Sequence, residues 1–259
     1  MSNTPLGIFD SGIGGTSILK EIHSLLPHEN CIYLADSENA PYGNKSEKDI
    51  LQLSIKNTEL LVNMGCKLII VACNTATTNA IAYLRAHYDI PFIGIEPAIK
   101  PAALNTQTKA IGILATKGTL SSQLFHKTTD LYARGIEVIE QVGDGIVPLI
   151  ENGKVDSKEM KLLLERYLKP MLDKNIDSLV LGCTHYPYLI PILSKMLPEH
   201  IRIIDSGLAV AKQTHAVLSL NAILNDTKEK GTVRLFSNGN IEVLNSILKG
   251  QFETAYLNF

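Results

Sequence analysis

LIIVACNTA, residues 68–76, is the stretch that decides the fold, and a close counterpart, SLVLGCTHY, occupies residues 178–186. Each consists of a short apolar run, a small residue, a cysteine and two hydrogen-bonding residues. A continuous apolar run of this kind predicts a strand that is buried on both faces of a parallel sheet. Because ligands bind at the carboxyl ends of such strands, we expect Cys73 and Cys183 to place a sulfur on either side of one site.

A second repeated pattern precedes each cysteine stretch. LGIF at residues 6–9 predicts a strand, and the glycine-rich DSGIGGT at 10–16 predicts a turn into an amphipathic helix. AIGILATKGT at 110–119 begins a second strand, turn and helix; Gly112 follows Gly7 by 105 positions, and the two cysteines are 110 positions apart. Such similar offsets predict an internal duplication. The predicted fold class is α/β, with two similar, doubly wound, mainly parallel-sheet lobes around a central cleft.

The lobe boundaries follow from breaks in this pattern. Glu96-Pro97 interrupts the alternation of strands and helices and is a plausible crossing point between lobes. Strands near residues 232–236 and 254–257, with a helix between them, predict a closing extension that packs back on the first lobe. The prediction is a discontinuous first lobe of residues 1–96 and 208–259, a second lobe of residues 97–207, and an active site between them.

Composition argues against several classes of protein. The 259 residues are 45% hydrophobic and 19% charged, with a net charge of −2, which is typical of globular proteins and gives little support to a nucleic-acid surface. No apolar run approaches ~20 residues, so no membrane span is expected, and Met1–Pro5 lacks the features of an export signal. The glycine-rich turn lacks the GxGxxG spacing of dinucleotide sites. Without CxxC spacing, the four cysteines are expected to be free thiols in a reducing cytoplasm, with Cys31 and Cys66 inert.

A thiol at a strand end can act as a nucleophile, a metal ligand, a redox partner or a general base. A nucleophile usually needs one cysteine paired with a histidine, and here only Cys183 has one nearby, His185. A zinc site needs three or four closely spaced Cys or His ligands, so no metal is predicted. A redox pair favours CxxC spacing, which is absent. General acid/base chemistry by both thiols fits best, because inversion of a carbon centre needs one base on each face. Both cysteines precede a predicted helix, whose amino terminus lowers the pKa of a thiol.

Each thiol then needs a neighbour that manages its proton. Asp10 is the candidate beside Cys73, because it ends an adjacent strand of the same half. His185 is the candidate beside Cys183, with Glu151 as the carboxylate that orients it. The alternatives are that Asp10 only caps the following helix, that His185 is a structural histidine, and that Glu151 is an exposed carboxylate at a helix end.

Four motifs in register carry a resemblance to a known family. They are FDSGIGG at residues 9–15, PYG at 41–43, VACNTA at 71–76 and GCTHYP at 182–187. Together they resemble the bacterial glutamate racemases, within the cofactor-independent Asp/Glu racemase family. The resemblance covers both halves, from residue 7 to about residue 207.

This resemblance implies an isomerase that interconverts L- and D-glutamate without a cofactor and supplies D-glutamate for peptidoglycan synthesis. It implies that Cys73 and Cys183 are the proton donor and acceptor pair, and that the protein forms a homodimer. The positions that match substrate contacts of the family are Asp10, Ser11, Pro41, Tyr42, Gly43, Asn74, Thr75, Thr184 and His185.

The residues agree with a small dicarboxylate as the substrate. No arginine lies in any of the motifs, so the carboxylates are expected to be held by backbone N–H groups at helix amino termini. The expected side-chain contacts are Ser11, Asn74, Thr75 and Thr184. No Schiff-base lysine motif is apparent, so pyridoxal phosphate is not implied.

Three other functions stay open at this point. A related racemase that acts on aspartate or a hydantoin would use the same pair of cysteines. A thiol hydrolase or transferase would use Cys183 and His185, with Cys73 incidental. A non-catalytic amino-acid-binding module would also have two lobes around a cleft.

Overall fold

The computed structural model describes residues 4–259 and contains two parallel sheets with helices packed on their faces. The strands are β1 Leu6–Asp10, β2 Cys31–Ala35, β3 Leu68–Val71, β4 Phe92–Gly94, β5 Ala110–Ala115, β6 Glu137–Val142, β7 Ser178–Gly182, β8 Arg202–Ile204, β9 Val233–Ser237 and β10 Glu253–Tyr256. The helices are α1 Thr16–Leu25, α2 Glu47–Asn63, α3 Asn74–His87, α4 Ile99–Asn105, α5 Lys117–Leu120, α6 Gln123–Tyr132, α7 Ile146–Glu151, α8 Lys158–Asp173, α9 Ile190–Met196, α10 Gly207–Leu220 and α11 Ile241–Leu248.

Four strands of the first sheet, β2-β1-β3-β4, repeat the order of the four strands of the second, β6-β5-β7-β8. The first runs β10-β9-β2-β1-β3-β4 and the second β6-β5-β7-β8, with every pairing parallel. In register, Gly7 lies opposite Ile69, and Gly112 lies opposite Leu179. The repeat therefore follows the two offsets seen in the sequence, and the predicted fold class is confirmed.

The cysteine stretches form the central strands, as predicted. Every residue of β3 and β7 is buried, which explains why both read as continuous apolar runs rather than as alternating ones. Helix α3 begins at Asn74, directly after Cys73, whose sulfur caps it by accepting a hydrogen bond from the Ala76 N–H. The Ser157 hydroxyl caps α8 by accepting a hydrogen bond from the Met160 N–H.

The carboxyl-terminal strands complete the first sheet, because β9 pairs with β2 on the side away from β1. The chain passes from the first sheet to the second after β4 and returns after β8, where the Ser206 hydroxyl donates a hydrogen bond to the Glu96 carbonyl at 2.5 Å. The residue boundaries of the two lobes stay a prediction. Residues 1–3, and with them most of the Met1–Pro5 segment that was considered for an export signal, lie outside the described residues.

Across residues 4–259, none of the helices has the length and apolar character that crossing a membrane requires.

A buried ion pair ties the return segment to the first sheet. Lys67 lies 2.7 Å from the Glu29 carboxylate, and their side chains are 7% and 2% exposed. Lys67 also donates to the Ile223 carbonyl at 2.7 Å, and the Asn225 N–H donates to Glu29 at 2.7 Å. The connection between α10 and β9 is thus anchored on two charges that have little access to water.

We expect the Lys67→Met substitution to destabilise the protein by about 3–5 kcal/mol, because it leaves the Glu29 carboxylate buried without its cation. Urea unfolding measures the change in the free energy of unfolding. The control is Lys169→Met, which removes the exposed Lys169–Asp173 pair and should change this free energy by less than about 1 kcal/mol. Equal effects of the two substitutions would contradict the prediction.

Candidate active site

Both thiols border one cavity between the carboxyl ends of the two sheets. The cavity and its opening to solvent together contain about 260 Å³ of space, and Cys73 and Cys183 lie on it with 4% and 6% of their surface exposed. All the predicted site residues border it except Asp10 and Glu151, and so do Thr116 and Val147. The structure therefore brings together, in one place, motifs that are more than a hundred residues apart in the sequence.

The Cys73 thiol is held by groups of its own half. Its sulfur donates to the Ser11 hydroxyl at 3.6 Å and accepts from the Ala76 N–H at 3.4 Å. Burial raises the pKa of Cys73, and the nearby Asp10 carboxylate raises it further. The amino terminus of α3 lowers this pKa through the Ala76 N–H, as expected, but the net shift of the Cys73 pKa is upward. Loss of hydration outweighs the single N–H contact, so the thiol form dominates in the free protein.

Asp10 lies beneath the cavity, at the end of β1, and is fully buried. Its carboxylate accepts hydrogen bonds from the Gly15 N–H at 2.9 Å and from the Thr184 hydroxyl of the other half at 3.2 Å. Burial raises the pKa of Asp10 to about 6, although the nearby His185 opposes this increase. The group is thus charged near neutral pH and protonated in mild acid, as a proton carrier next to Cys73 would need to be.

His185 lies between Cys183 and Glu151. Its Nδ1 is 3.8 Å from the Cys183 sulfur, and its Nε2 is 2.5 Å from a Glu151 carboxylate oxygen. Burial lowers the pKa of His185, but the contacts with Cys183 and Glu151 outweigh this and hold the pKa well above its ordinary value. Cys183, His185 and Glu151 therefore form a connected row of side chains, as predicted from the sequence. Their catalytic roles stay predictions.

The glycine-rich turn after β1 packs closely against Glu151 and His185. Glu151 accepts a hydrogen bond from the Ile13 N–H at 2.7 Å. A Cβ atom on Gly12 would lie 1.9 Å from the Glu151 carboxylate, and one on Gly14 would lie 2.3 Å from His185 Nδ1. These glycines are required because no larger residue fits between the two halves of the molecule.

The duplication is asymmetric at the site, which leaves Asn74 without a partner. In the repeat, Thr184 corresponds to Asn74, and Asp10 corresponds to Ala115. Thr184 donates to Asp10, whereas the methyl group of Ala115 has nothing to offer Asn74. Among the described residues, neither polar atom of the buried Asn74 amide has a hydrogen-bond partner. Both polar atoms of this buried amide are thus available to an ordered water or a polar ligand in the cavity.

Two residues that border the cavity were missed by sequence reasoning. Thr116 corresponds to Ser11 in the repeat, so the alignment contained a signal for it; its hydroxyl lies 2.8 Å from that of Thr75. Val147 belongs to the short helix α7, and nothing in its sequence context marks it.

Tyr42 borders the cavity, but its hydroxyl is hydrogen-bonded to other residues of the protein. Its hydroxyl donates to Asp36 at 2.5 Å and accepts from the Asn57 amide at 3.1 Å. The hydroxyl is therefore already committed to partners within the protein.

Within the part of the chain that the structure describes, no group of three or more His, Cys, Asp or Glu side chains is placed to hold a metal ion.

Comparison with known proteins places these features in a family. The sequence model of the family described as Asp/Glu/Hydantoin racemase matches residues 13–214. The glutamate racemase of Herpetosiphon aurantiacus is 41% identical over 239 residues, which is 92% of this chain and 94% of that protein. The glutamate racemase of Francisella tularensis, solved with D-glutamate, aligns with a TM-score of 0.85 at 31% identity and covers 100% of this chain and 98% of its own.

The glutamate racemase of Escherichia coli, solved with L-glutamate and the activator UDP-MurNAc-ala, also aligns with a TM-score of 0.85. It is 35% identical, over 98% of this chain and 97% of its own. Similarity of this kind extends over both sheets and over the cavity between them.

The raised pKa of Asp10 predicts a distinctive dependence of stability on pH. A carboxyl group whose pKa rises from 3.8 to about 6 on folding binds its proton more tightly in the folded state, so the stability it contributes falls as pH rises from about 4 to 6. We expect Asp10→Asn to remove this fall, which amounts to about 3 kcal/mol at most. Urea unfolding at pH 4.5, 6 and 7.5 measures it.

Asp177→Asn is the control with the opposite sign. Burial tends to raise the pKa of Asp177, but hydrogen bonds from the N–H groups of Thr108 and Gln107 outweigh it and lower the pKa, so this carboxylate stabilises the fold above its unfolded pKa. Its substitution should lower stability at neutral pH and have little effect in acid. If Asp10→Asn changes stability with pH in the same way as Asp177→Asn, folding does not raise the pKa of Asp10.

Proposed function

This chain belongs to the Asp/Glu/Hydantoin racemase family, and we propose that it is a glutamate racemase that interconverts L- and D-glutamate by two-base proton transfer without a cofactor. The observation that carries the proposal is the pair of buried thiols, one at the end of β3 and one at the end of β7, on a single cavity. Two acids that approach one carbon from different lobes are what inversion of a stereocentre requires.

In the proposed reaction, one cysteine as thiolate removes the α-proton while the thiol of the other delivers a proton to the opposite face. The reverse reaction exchanges the two roles. Because the pKa of Cys73 is raised, its thiolate needs an acceptor for the thiol proton. Asp10 supplies it, since its pKa of about 6 leaves the carboxylate charged at neutral pH.

On the other side, His185, whose raised pKa favours the imidazolium, delivers a proton to the Cys183 thiolate and takes it back in the reverse direction. Glu151 fixes the ring through a 2.5 Å contact and stabilises its positive charge. A carboxylate that orients a histidine in this way serves the same purpose in many acid/base sites. The two thiols thus have different auxiliaries, a carboxylate for Cys73 and an imidazole for Cys183.

The substrate would be held by neutral donors rather than by arginine. The proposed contacts on the cavity are the unsatisfied Asn74 amide, the hydroxyls of Ser11, Thr75 and Thr184, the segment Pro41–Gly43 and His185, with the Asp10 carboxylate beneath them. Backbone N–H groups at the start of α3 favour a carboxylate. In a small, dry cavity, such donors also stabilise the negative charge that develops when the α-proton leaves.

Glutamate is favoured over the other substrates because relatives at 41–45% identity are glutamate racemases. A thiol hydrolase would use only Cys183 and His185. That function does not explain why Cys73 lies at the matching position on the same cavity. By similarity to the same relatives, we further infer that the enzyme works in the cytoplasm as a homodimer, and that its D-glutamate enters peptidoglycan synthesis.

Racemisation in deuterated water tests both the substrate and the mechanism. With two monoprotic thiols, D-glutamate formed from L-glutamate should carry deuterium at the α-carbon, while unreacted L-glutamate keeps its protium at early times. Chiral chromatography with mass spectrometry measures both pools. Return of protium into the product would indicate a single shared base, and exchange of aspartate or a hydantoin in place of glutamate would favour the alternative substrates.

Cys73→Ser and Cys183→Ser should each reduce racemisation by more than ~10²-fold, because each removes one of the two proton-transfer groups. Circular dichroism of glutamate solutions follows the rate. Cys66→Ser is the control: it replaces a buried thiol outside the cavity and should leave the rate of folded enzyme unchanged. Near-normal turnover by either of the first two variants would exclude two-thiol inversion.

A further inference from the structure

Asp36 is a fully buried carboxylate that the proposed chemistry does not use. It follows β2 and lies under the cavity-lining segment Pro41–Gly43. Its oxygens accept hydrogen bonds from the Tyr42 hydroxyl at 2.5 Å, the Asn238 amide at 2.6 Å and the Asn39 amide at 2.8 Å. Lys56 lies 3.3 Å away, and the amide of Asn57 lies at 3.5 Å.

A buried carboxylate is tolerated only where donors surround its oxygens. The donors of Asp36 come from three separate parts of the chain: its own loop, helix α2 and the end of β9. Hydrogen bonds to an ionised group are roughly twice as strong as neutral ones. The position of the carboxylate, and of the Tyr42 ring that it holds, therefore depends on all three parts.

The carboxyl-terminal extension contributes directly to this network. Asn238 uses both ends of its amide: Nδ2 donates to Asp36, and Oδ1 accepts from the Glu38 N–H at 3.0 Å. Lys56 donates to the carbonyl of Phe259 at 3.1 Å, and its ammonium lies 5.1 Å from the centre of the Phe259 ring. The extension thus orients two of the groups that hold Asp36.

The segment Pro41–Gly43, which lies above the groups that contact Asp36, has little room to move. A Cβ atom on Gly43 would lie 2.8 Å from Thr116 of the second lobe, so a shift of Tyr42 must displace the Gly43–Thr116 contact as well. Both residues border the cavity that contains the two thiols.

We propose that Asp36 is a positioning residue for the substrate, and that the carboxyl-terminal extension takes part in substrate binding by holding Asp36 through Asn238. The proposal rests on the racemase function given above. It assigns a role in the reaction to residues 233–259, which carry none of the sequence motifs and do not border the cavity with the thiols.

The direct test is Asn238→Ala, measured by steady-state racemisation of glutamate. Because Tyr42 and Gly43 are proposed to bind the substrate and not to transfer protons, we expect KM to rise about tenfold while kcat changes much less. In a Tyr42→Phe background the same substitution should add little to KM, because both act through one carboxylate.

Asn225→Ala is the matched control. Asn225 is a buried asparagine of the same extension whose amide donates to the His28 carbonyl at 2.6 Å and makes no contact with Asp36. We expect it to lower the Tm without changing KM. If Asn238→Ala lowers only the Tm, or if Asn225→Ala raises KM equally, the role is structural and the proposal is wrong.

Lys56→Met is a second variant for the case that Asn238→Ala does not fold. The Lys56 side chain is 35% exposed, so its loss disturbs the core less, and it removes another group that contacts Asp36. KM should again rise with kcat nearly constant. An unchanged KM in folded Lys56→Met enzyme would count against the proposal.

Alkylation of Cys73 by iodoacetamide separates this proposal from the proposed function. A displaced Pro41–Gly43 segment opens the cavity, so Asn238→Ala should increase the labelling rate of Cys73 several-fold, as read by peptide mass spectrometry, and Asn225→Ala should not. This measurement needs no turnover. Failure of the wild-type protein to racemise glutamate would refute only the proposed function, whereas unchanged labelling in Asn238→Ala would refute the positioning role.

Discussion

The site depends on how closely the turn after β1 approaches the second half of the molecule. Gly12 and Gly14 bring the first-half backbone against the Glu151 carboxylate and the His185 ring at distances that no Cβ atom allows. The same turn supplies the Ile13 N–H to Glu151 and the Gly15 N–H to Asp10. One short segment therefore contacts Asp10, Glu151 and His185, and it sets how closely the two halves approach beside the cavity.

This close approach also sets the electrostatics. Excluding water raises the pKa of Cys73 and of Asp10, which alone would leave both groups protonated and inert. His185, held cationic by Cys183 and Glu151, opposes that effect on Asp10. The charge of His185 thus helps to keep Asp10 ionised, so the protonation states of these two groups depend on each other. Such coupling requires a dry site, because water would screen it.

Sequence reasoning succeeded where the signal is local. Fully buried strands read as continuous apolar runs, and two such runs that end in Cys73 and Cys183 were enough to predict the repeated sheet. Sequence reasoning failed where the cause is non-local. The direction of the Cys73 pKa shift depends on burial and on Asp10. Val147 reaches the cavity only through the packing of α7. The helices α4, α5 and α9 have seven residues or fewer, too short to show a helical period.

The duplication explains why a symmetric scaffold gives an asymmetric site. Corresponding strand ends keep the thiols, and both thiols border the same cavity. Their neighbours are free to differ, and the difference between Asp10 and Ala115 has a physical consequence: it gives Thr184 an acceptor within the protein and denies one to Asn74. A side chain that is already hydrogen-bonded within the protein, such as Thr184, would gain little from a ligand. An unsatisfied one, such as Asn74, gains a full hydrogen bond on binding. The loss of symmetry in the second half is thus what leaves the first half with an unsatisfied amide on the cavity.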